Sequence, residues 1–181
     1  MERYRIGPDA AVYYVTYSVV EWLPVFVTEA TFSIVTESLS FCYSKKHLRI
    51  NAFVIMPTHL HMIVFDAEFD HERLSRTLTD FRKFTGRRLS DYCVGHFPPC
   101  FAQRLHDQAP DDRERRFWQP SRHPEAILTE PFWQQKADYL HDNPRRKGLV
   151  RSPQDWRWSS AAWYFSDGQS QADVPLTAIM W

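Results

Sequence analysis

The sequence predicts an α+β protein of the ferredoxin-like, split βαβ type, in which an antiparallel sheet carries two helices on one face. Segments rich in β-branched and aromatic residues alternate with segments of helical periodicity, in the order β-α-β-β-α-β-α. Pro57 divides the central apolar run into two strands, because proline cannot serve in the middle of a central strand. The last helix bears a tyrosine and is additional to the split βαβ unit, so it can cover the other face.

The first two elements are a strand and a helix. Residues Ala11–Val20 read AVYYVTYSVV, a composition typical of a strand, and Pro24 follows them. Apolar residues then recur at helical spacing, with Thr28 placed to act as the N-cap. The pattern predicts a helix over Glu29–His47.

Two strands and a second helix come next. Arg49–Met56 and His59–Phe65 are apolar runs of strand length, joined by a tight turn. Helical periodicity returns over Asp70–Tyr92, where arginine and lysine surround an apolar stripe. Residues 93–116 are rich in proline and charge and poor in pattern, which predicts a loop.

The rest of the chain predicts one short strand, one helix and an aromatic segment. Phe117–Leu128 contains a short fourth strand interrupted by prolines. Thr129 is the predicted N-cap of the tyrosine-bearing helix. We expect that helix to end at Asn143, because Pro144 disfavours helical geometry in the residue before it. Trp156–Phe165 holds three tryptophans, of which at least one is expected in the core.

Length and composition indicate one globular domain. The chain has 181 residues, of which 44% are hydrophobic, and we assign residues 1–165 to the domain and 166–181 to a C-terminal tail. The three cysteines lack the spacing of a zinc ribbon or a disulfide framework. The N-terminal residues lead into no signal peptide, and the longest run without a charged side chain, Ile50–Phe65, is too short and polar to span a bilayer. We therefore expect a soluble, cytoplasmic protein without a membrane partner.

The charges are unevenly distributed although they sum to zero. Residues 73–122 carry 11 basic and 6 acidic side chains, and residues 136–157 carry 6 and 3. Two basic blocks on a neutral chain suit a polyanionic partner if they meet on one face. Solvated helix surfaces would produce the same counts.

His59 and His61 are the residues that point most directly to chemistry. Side chains two apart on a strand share a face, so both imidazoles are expected on the side opposite Leu60 and Met62. Two imidazoles on one rigid strand can supply half of a divalent-metal site. Two strand histidines without any ligand role fit the same spacing.

A second cluster lies at the end of the tyrosine-bearing helix. Tyr139 and Asn143 are one turn apart, with Gln135 one turn earlier, a spacing that ordinary helix residues share. Cations and tryptophans follow closely in NPRRKGLV and DWRWSS. Cations interleaved with aromatic rings suit a single-stranded or hairpin nucleic acid, because the cations can neutralise phosphates and the rings can stack on bases.

Several motifs together resemble one protein family. FVIMPTHLHMIVF resembles the HUH motif (histidine, hydrophobic, histidine) of single-tyrosine transposases. YLHDNPRRKGLV followed by DWRWSS resembles the tyrosine helix and downstream signature of the same group. YYVTYSVVEWLPVF and FWQPSRHPEAI are similar to the REP-associated tyrosine transposases (RAYT). The resemblance runs from Ala11 to Phe165, and the order and spacing of the motifs make it specific.

The resemblance implies roles for four residues. His59 and His61 would be metal ligands, and Tyr139 would be the nucleophile. Asn143 occupies the position where relatives carry a polar third ligand, often glutamine. One departure is Thr58, which stands where many members have asparagine before the first histidine.

The resemblance also implies a DNA partner. Single-stranded or hairpin (REP-like) DNA would be the substrate. His123 lies in a segment similar to the family, but no role follows for it. The two basic blocks supply the candidate DNA-binding residues, which are Arg82, Lys83, Arg87, Arg145, Arg146 and Lys147.

The residue types suit this chemistry. A phenol with a pKa near 10 is ionised in only about one molecule in a thousand at neutral pH, so its attack on a phosphodiester needs the help of a polarising cation. Attack leaves a 5′-phosphotyrosine and a free 3′-OH, which conserves the bond energy for rejoining. Mg²⁺ prefers oxygen ligands and imidazoles suit Mn²⁺ better, so the expected cofactor is Mg²⁺ or Mn²⁺.

Two other functions fit part of the sequence. A non-catalytic, domesticated single-stranded nucleic-acid-binding protein would have no need to keep His59, His61 and Tyr139 together. A small metal-dependent hydrolase without a covalent intermediate leaves the basic blocks unexplained. The sequence leaves open whether the protein acts as a monomer, or as a homodimer in which one subunit's tyrosine serves the other's metal.

Overall fold

An antiparallel sheet of four strands forms the centre of the computed structural model, which describes residues 5–112, 114–120 and 124–180. The strands are β1 (Val12–Ser18), β2 (Leu48–Met56), β3 (His59–Asp66) and β4 (Glu125–Ile127). Their order across the sheet is β2-β3-β1-β4, and each neighbouring pair is antiparallel. This order confirms the predicted α+β class with a split βαβ sheet.

Helices cover both faces of the sheet. They are α1 (Glu29–Lys45), α2 (His71–His96), α3 (Pro99–Asp107), α4 (Glu130–Arg146) and α5 (Ala161–Phe165). On one face, Leu60, Met62 and Val64 of β3 pack into a core with apolar side chains of α1 and α2. On the other face, Ala137 and Leu140 of α4 pack against residues of β1, β2 and β3.

The prediction of a loop over residues 93–116 was wrong for residues 93–96 and 99–107, which are helical. Helix α2 continues to His96, and α3 follows after a break at residues 97–98. Pro99 stands in the first turn of α3, where a proline costs no hydrogen bond. Leu105 is fully buried, and Phe101, one helical turn earlier, packs against the same core. These two apolar side chains hold the short polar helix against that core.

The prediction that the tyrosine-bearing helix ends at Asn143 was also wrong. Helix α4 runs through Pro144 to Arg146. Pro144 removes one helical hydrogen bond, the one that an amide at this position would donate to the Leu140 carbonyl, and its ring is buried. The Lys147 amide donates to the Asn143 carbonyl at 3.1 Å and the Leu149 amide to the Pro144 carbonyl at 3.0 Å, which closes the last turn.

The C-terminal segment pairs with the free edge of β2. The Ile55 amide donates to the Trp158 carbonyl at 2.8 Å, and the Ser160 amide donates to the Phe53 carbonyl at 2.9 Å. The Trp158 ring is buried and stacks on Phe32 with 4.3 Å between ring centroids, as the prediction of a core tryptophan required. These bonds protect an edge strand that would otherwise expose its backbone.

Asp66 joins the end of β3 to the start of α2. Its carboxylate is buried and accepts hydrogen bonds from Arg73 Nε at 2.8 Å and Nη2 at 2.6 Å. Burial alone would raise the pKa of Asp66. The bonds from Arg73 and from the Glu68 and Asp70 amides outweigh burial and hold that pKa below its ordinary value of 3.8.

Asp66→Asn is expected to lower the free energy of unfolding by about 2–3 kcal/mol at pH 7, because Arg73 loses its buried charged acceptor. The lowered pKa means that the carboxylate stabilises the fold above pH 3.8, and that this contribution is lost as the pH falls further. Urea unfolding should therefore show that the free energies of unfolding of Asp66→Asn and the wild type differ less at pH 3 than at pH 7. Asp80→Asn, which breaks an exposed pair with Lys46, is the control and should cost under about 1 kcal/mol. If Asp66→Asn and Asp80→Asn lowered the free energy of unfolding equally at pH 7, the stabilising role of the buried Asp66–Arg73 pair would be contradicted.

Candidate active site

Strand β3 places His59 and His61 together on the sheet face that α4 covers. Their ring centroids are 4.6 Å apart, and both side chains are largely buried. They lie opposite Ser18 and Thr16 of β1 in the ladder. The alternation of a strand, with Leu60 and Met62 turned to the other core, produces this arrangement.

Threonine hydroxyls orient both imidazoles. Thr58 Oγ1 lies 2.9 Å from His59 Nδ1, and Thr16 Oγ1 lies 2.8 Å from His61 Nδ1. When each Nδ1 carries the proton and donates it to the hydroxyl, each Nε2 keeps a lone pair for a ligand. Thr58 thus provides the hydrogen-bonding partner of the first histidine.

Burial keeps both histidines neutral. It lowers the pKa of His59 to about 4, with a contribution from the positive charge of Lys147. It also lowers the pKa of His61 to about 3, with smaller contributions from His59 and Lys136. Both imidazoles are therefore uncharged at pH 7, the form in which histidine binds a metal ion.

Helix α4 brings Tyr139 to the histidine pair. The Tyr139 and His61 ring centroids are 5.9 Å apart, and 41% of Tyr139 is exposed. The Arg146 guanidinium lies 5.1 Å from the centre of the same phenol ring. A solvent-accessible phenol, two neutral imidazoles and a guanidinium therefore border one surface.

Asn143 lies one turn beyond Tyr139 on α4. It is 4% exposed, and its Nδ2 makes no hydrogen bond within the described residues. An unsatisfied buried donor is costly, and an acceptor such as a phosphate oxygen would satisfy this Nδ2, while the amide oxygen is the atom that can bind a metal ion. Among the described residues no three His, Cys, Asp or Glu side chains form a metal-binding group, so a third protein ligand beside the two histidines would be of another type. Asn143 is that candidate.

Tyr14 and Lys136 also belong to this site, and neither was predicted. The Tyr14 ring stacks on His61 at 5.3 Å, and Lys136 Nζ lies 4.7 Å from the Tyr14 ring centre. Lys136 also donates to both carboxylate oxygens of Glu125, at 2.8 and 2.9 Å. Alternation along β1 places Tyr14 and Thr16 on one face, but only the pairing with β3 shows that this is the histidine face.

The basic residues of α2 border a groove of about 710 Å³. Lys83 and Arg87 line it together with Arg115 and Arg116, two cations that the sequence analysis did not single out. Arg82 donates to the backbone carbonyl of Gln119, so it ties α2 to the segment opposite as well as lining the groove.

The second basic cluster follows the tyrosine on α4. Arg145 forms an ion pair with Asp142 at 2.5 Å, while Arg146 lies over Tyr139 and Lys147 acts electrostatically on His59.

His141, between the tyrosine and the asparagine, faces away from the site and forms a hydrogen bond with Ser160 at 2.8 Å in the core. His123 lies outside the described residues. No helix in the described ranges has the length and apolarity needed to cross a bilayer.

Comparison with known proteins identifies the fold. The chain is similar to a REP-associated tyrosine transposase solved bound to a REP hairpin, with a TM-score of 0.66 and 17% identity over 100% of this chain and 95% of that one. It is also similar to a candidate transposase from Deinococcus radiodurans, with a TM-score of 0.46 and 15% identity over 78% of this chain and 97% of that one. No family profile and no curated protein sequence matches the chain. The first likeness establishes a shared fold.

Proposed function

We propose that this protein cleaves and rejoins single-stranded or hairpin DNA through a covalent tyrosine intermediate. The observation that carries the proposal is the position of Tyr139, whose ring lies 5.9 Å from that of His61, on the face where both histidines are oriented by threonine hydroxyls. The shared fold with a REP-associated tyrosine transposase supports the same reaction class. Tyr139 is the proposed catalytic residue.

The donor set fits a divalent metal. Nε2 of His59, Nε2 of His61 and the side-chain amide oxygen of Asn143 would hold Mg²⁺ or Mn²⁺, because the imidazoles are neutral and both ions accept amide oxygens as ligands. A bound ion of this kind polarises a phosphate and offsets the charge that grows on its oxygens. Lys147, which influences His59, adds a positive charge from the protein itself.

Cleavage would proceed by in-line displacement at phosphorus. Tyr139 Oη forms a bond to the scissile phosphorus, and the bond from phosphorus to the 3′-oxygen breaks. The phenol proton passes to solvent, and the departing oxygen takes up a proton to become a free 3′-OH. A 5′-phosphotyrosine remains, and attack on it by a 3′-OH reverses the step and rejoins DNA.

The two basic clusters supply phosphate contacts. Lys83 and Arg87 line the groove beside α2, and Arg146 and Lys147 border the site on α4. A hairpin is the favoured form of DNA, because the transposase that shares this fold was solved with a REP hairpin. Tyr139 lies beside its own chain's His61, so the proposed cleavage needs no residue from a second subunit.

An adduct assay tests the proposal. The protein is incubated with a labelled hairpin oligonucleotide that carries single-stranded flanks, with Mn²⁺, Mg²⁺ or EDTA, and is then denatured. The proposal predicts a labelled protein band that survives the denaturant and requires the metal. Binding without cleavage would identify a non-catalytic DNA-binding protein, and cleavage without an adduct would identify a hydrolase.

Asn143→Ala is expected to weaken Mn²⁺ binding by at least about tenfold while leaving the melting temperature unchanged or higher. The change removes the amide oxygen proposed as a metal ligand, but it also removes a buried Nδ2 that has no hydrogen-bond partner in the described chain. Calorimetric titration with Mn²⁺ and thermal unfolding of the same samples measure both effects. Asp138→Asn, an exposed change on the same helix, is the control. A lower melting temperature with unaltered Mn²⁺ affinity would show that Asn143 is structural.

A further inference from the structure

Trp22 stands exposed beside the histidine pair. It lies in a short turn, Val20–Trp22, that follows β1, and 56% of it is exposed. Its ring meets His59 edge-on, with 5.9 Å between centroids. Tryptophan is usually well buried, so an indole held in solvent next to a candidate active site calls for a functional explanation.

The backbone that presents Trp22 is strained. Glu21 and Trp22 have φ angles of 51° and 55°, a left-handed conformation that two successive residues with side chains rarely adopt. Two residues at the C-terminal end of α3 stabilise this turn through polar contacts with Glu21. Gln108 donates to the Glu21 carboxylate at 2.9 Å, and Arg104 forms an ion pair with it at 3.5 Å. The fold therefore maintains a costly conformation that keeps the indole outside the core.

The turn also lies where the basic groove meets the active-site end of the sheet. Trp118 lines the groove and forms an isolated bridge with Val19, which is three residues before Trp22. The Val20 amide donates to the Phe117 carbonyl at 2.8 Å. A strand that follows the groove residues toward His59 would thus pass the Trp22 ring.

We infer that Trp22 is a stacking platform for a base of single-stranded DNA that flanks the scissile phosphate. Every base has a π-face, so such a contact tolerates any sequence and sets the position of the strand relative to Tyr139. This role makes Trp22 a positioning residue, and it rests on the proposed function.

Equilibrium binding in EDTA, on a Tyr139→Phe background that prevents cleavage, tests the inference. The probes are an oligothymidylate of about 15 nucleotides and an abasic sugar-phosphate oligomer of the same length. Trp22→Ala should weaken oligothymidylate binding by about tenfold, and Trp22→Phe by much less, while binding of the abasic oligomer stays the same. Phe41→Ala removes an equally exposed ring from α1 and should change neither affinity.

A fluorescence titration keeps the test independent of the stability of Trp22→Ala. Oligothymidylate should quench the tryptophan emission of the parent, and the quench should shrink in Trp22→Phe. The inference would be overturned if Trp22→Ala weakened binding of both probes equally. It would also be overturned if Trp22→Ala left oligothymidylate binding unchanged and Trp22→Phe left the fluorescence quench unchanged. Either result would leave the proposed function intact. Failure of the parent to bind either probe would overturn the inference, and the adduct assay on the hairpin oligonucleotide would then decide the proposed function separately.

Discussion

Tyr139→Phe is expected to reduce formation of the denaturant-resistant protein–DNA adduct by at least about 10⁴-fold, to below detection. The change removes only the attacking oxygen. The ring that packs near His61 and under Arg146 remains, so DNA affinity should change by less than about threefold. Denaturing gels report the adduct, and fluorescence anisotropy on the same hairpin oligonucleotide reports binding.

Tyr14→Phe is the matched control for this experiment. Tyr14 is the other phenol of the site, and its ring stacks on His61. Burial raises the pKa of Tyr14 strongly, with a smaller contribution from Tyr139, so its oxygen is a poor nucleophile. The Tyr14→Phe protein should still form the adduct. If the adduct persisted in Tyr139→Phe and was lost in Tyr14→Phe, the nucleophile would be Tyr14 and not Tyr139.

Replacing both His59 and His61 by alanine is expected to suppress cleavage by at least about 10³-fold with every divalent ion tested, because the site loses its two nitrogen ligands. DNA binding should persist. Both imidazoles are neutral at pH 7, since burial lowers their pKa values to about 4 and about 3, so their removal takes away no positive charge. Nicking assays across Mg²⁺ and Mn²⁺, with Mn²⁺ calorimetry, measure the loss.

His106→Ala is the control for the double variant. His106 is exposed on α3, whose Leu105 packs into the core on the other face of the sheet. Its removal should leave both cleavage and Mn²⁺ affinity unchanged. Full cleavage by the His59→Ala, His61→Ala protein would exclude a metal-ligand role for these residues and favour a site built from other groups.

The sheet and the histidine face follow from local patterns in the sequence. Strand alternation separates His59 and His61 from Leu60 and Met62, and Pro57 marks the turn between β2 and β3. Helix α1 begins where Thr28 predicts it, because that side chain caps the Thr31 amide. These features depend on residues close together in the chain, which is why periodicity and capping rules recover them.

The remaining features of the site depend on contacts between distant segments. The sequence does not encode locally which residue of β1 lies opposite His61, so Thr16 and Tyr14 could not be assigned to the site. Helix α3 has only Phe101 and Leu105 as apolar anchors, too few for a periodic signal. The left-handed turn at Trp22 is imposed by bonds from residues about 85 positions later, and such strain has no local signature.

Mass spectrometry of the adduct formed by the unaltered protein tests most directly whether Tyr139 and the histidine pair form one active site. Trypsin releases residues 137–145 as a peptide in which Tyr139 is the sole tyrosine, while Tyr14 falls in the separate peptide 6–45. After nuclease trimming, the account predicts a 5′-linked nucleotide on Tyr139, formed with Mn²⁺ and absent when His59 and His61 are alanine. A nucleotide on the 6–45 peptide, or on Tyr139 in the histidine-free protein, would contradict it.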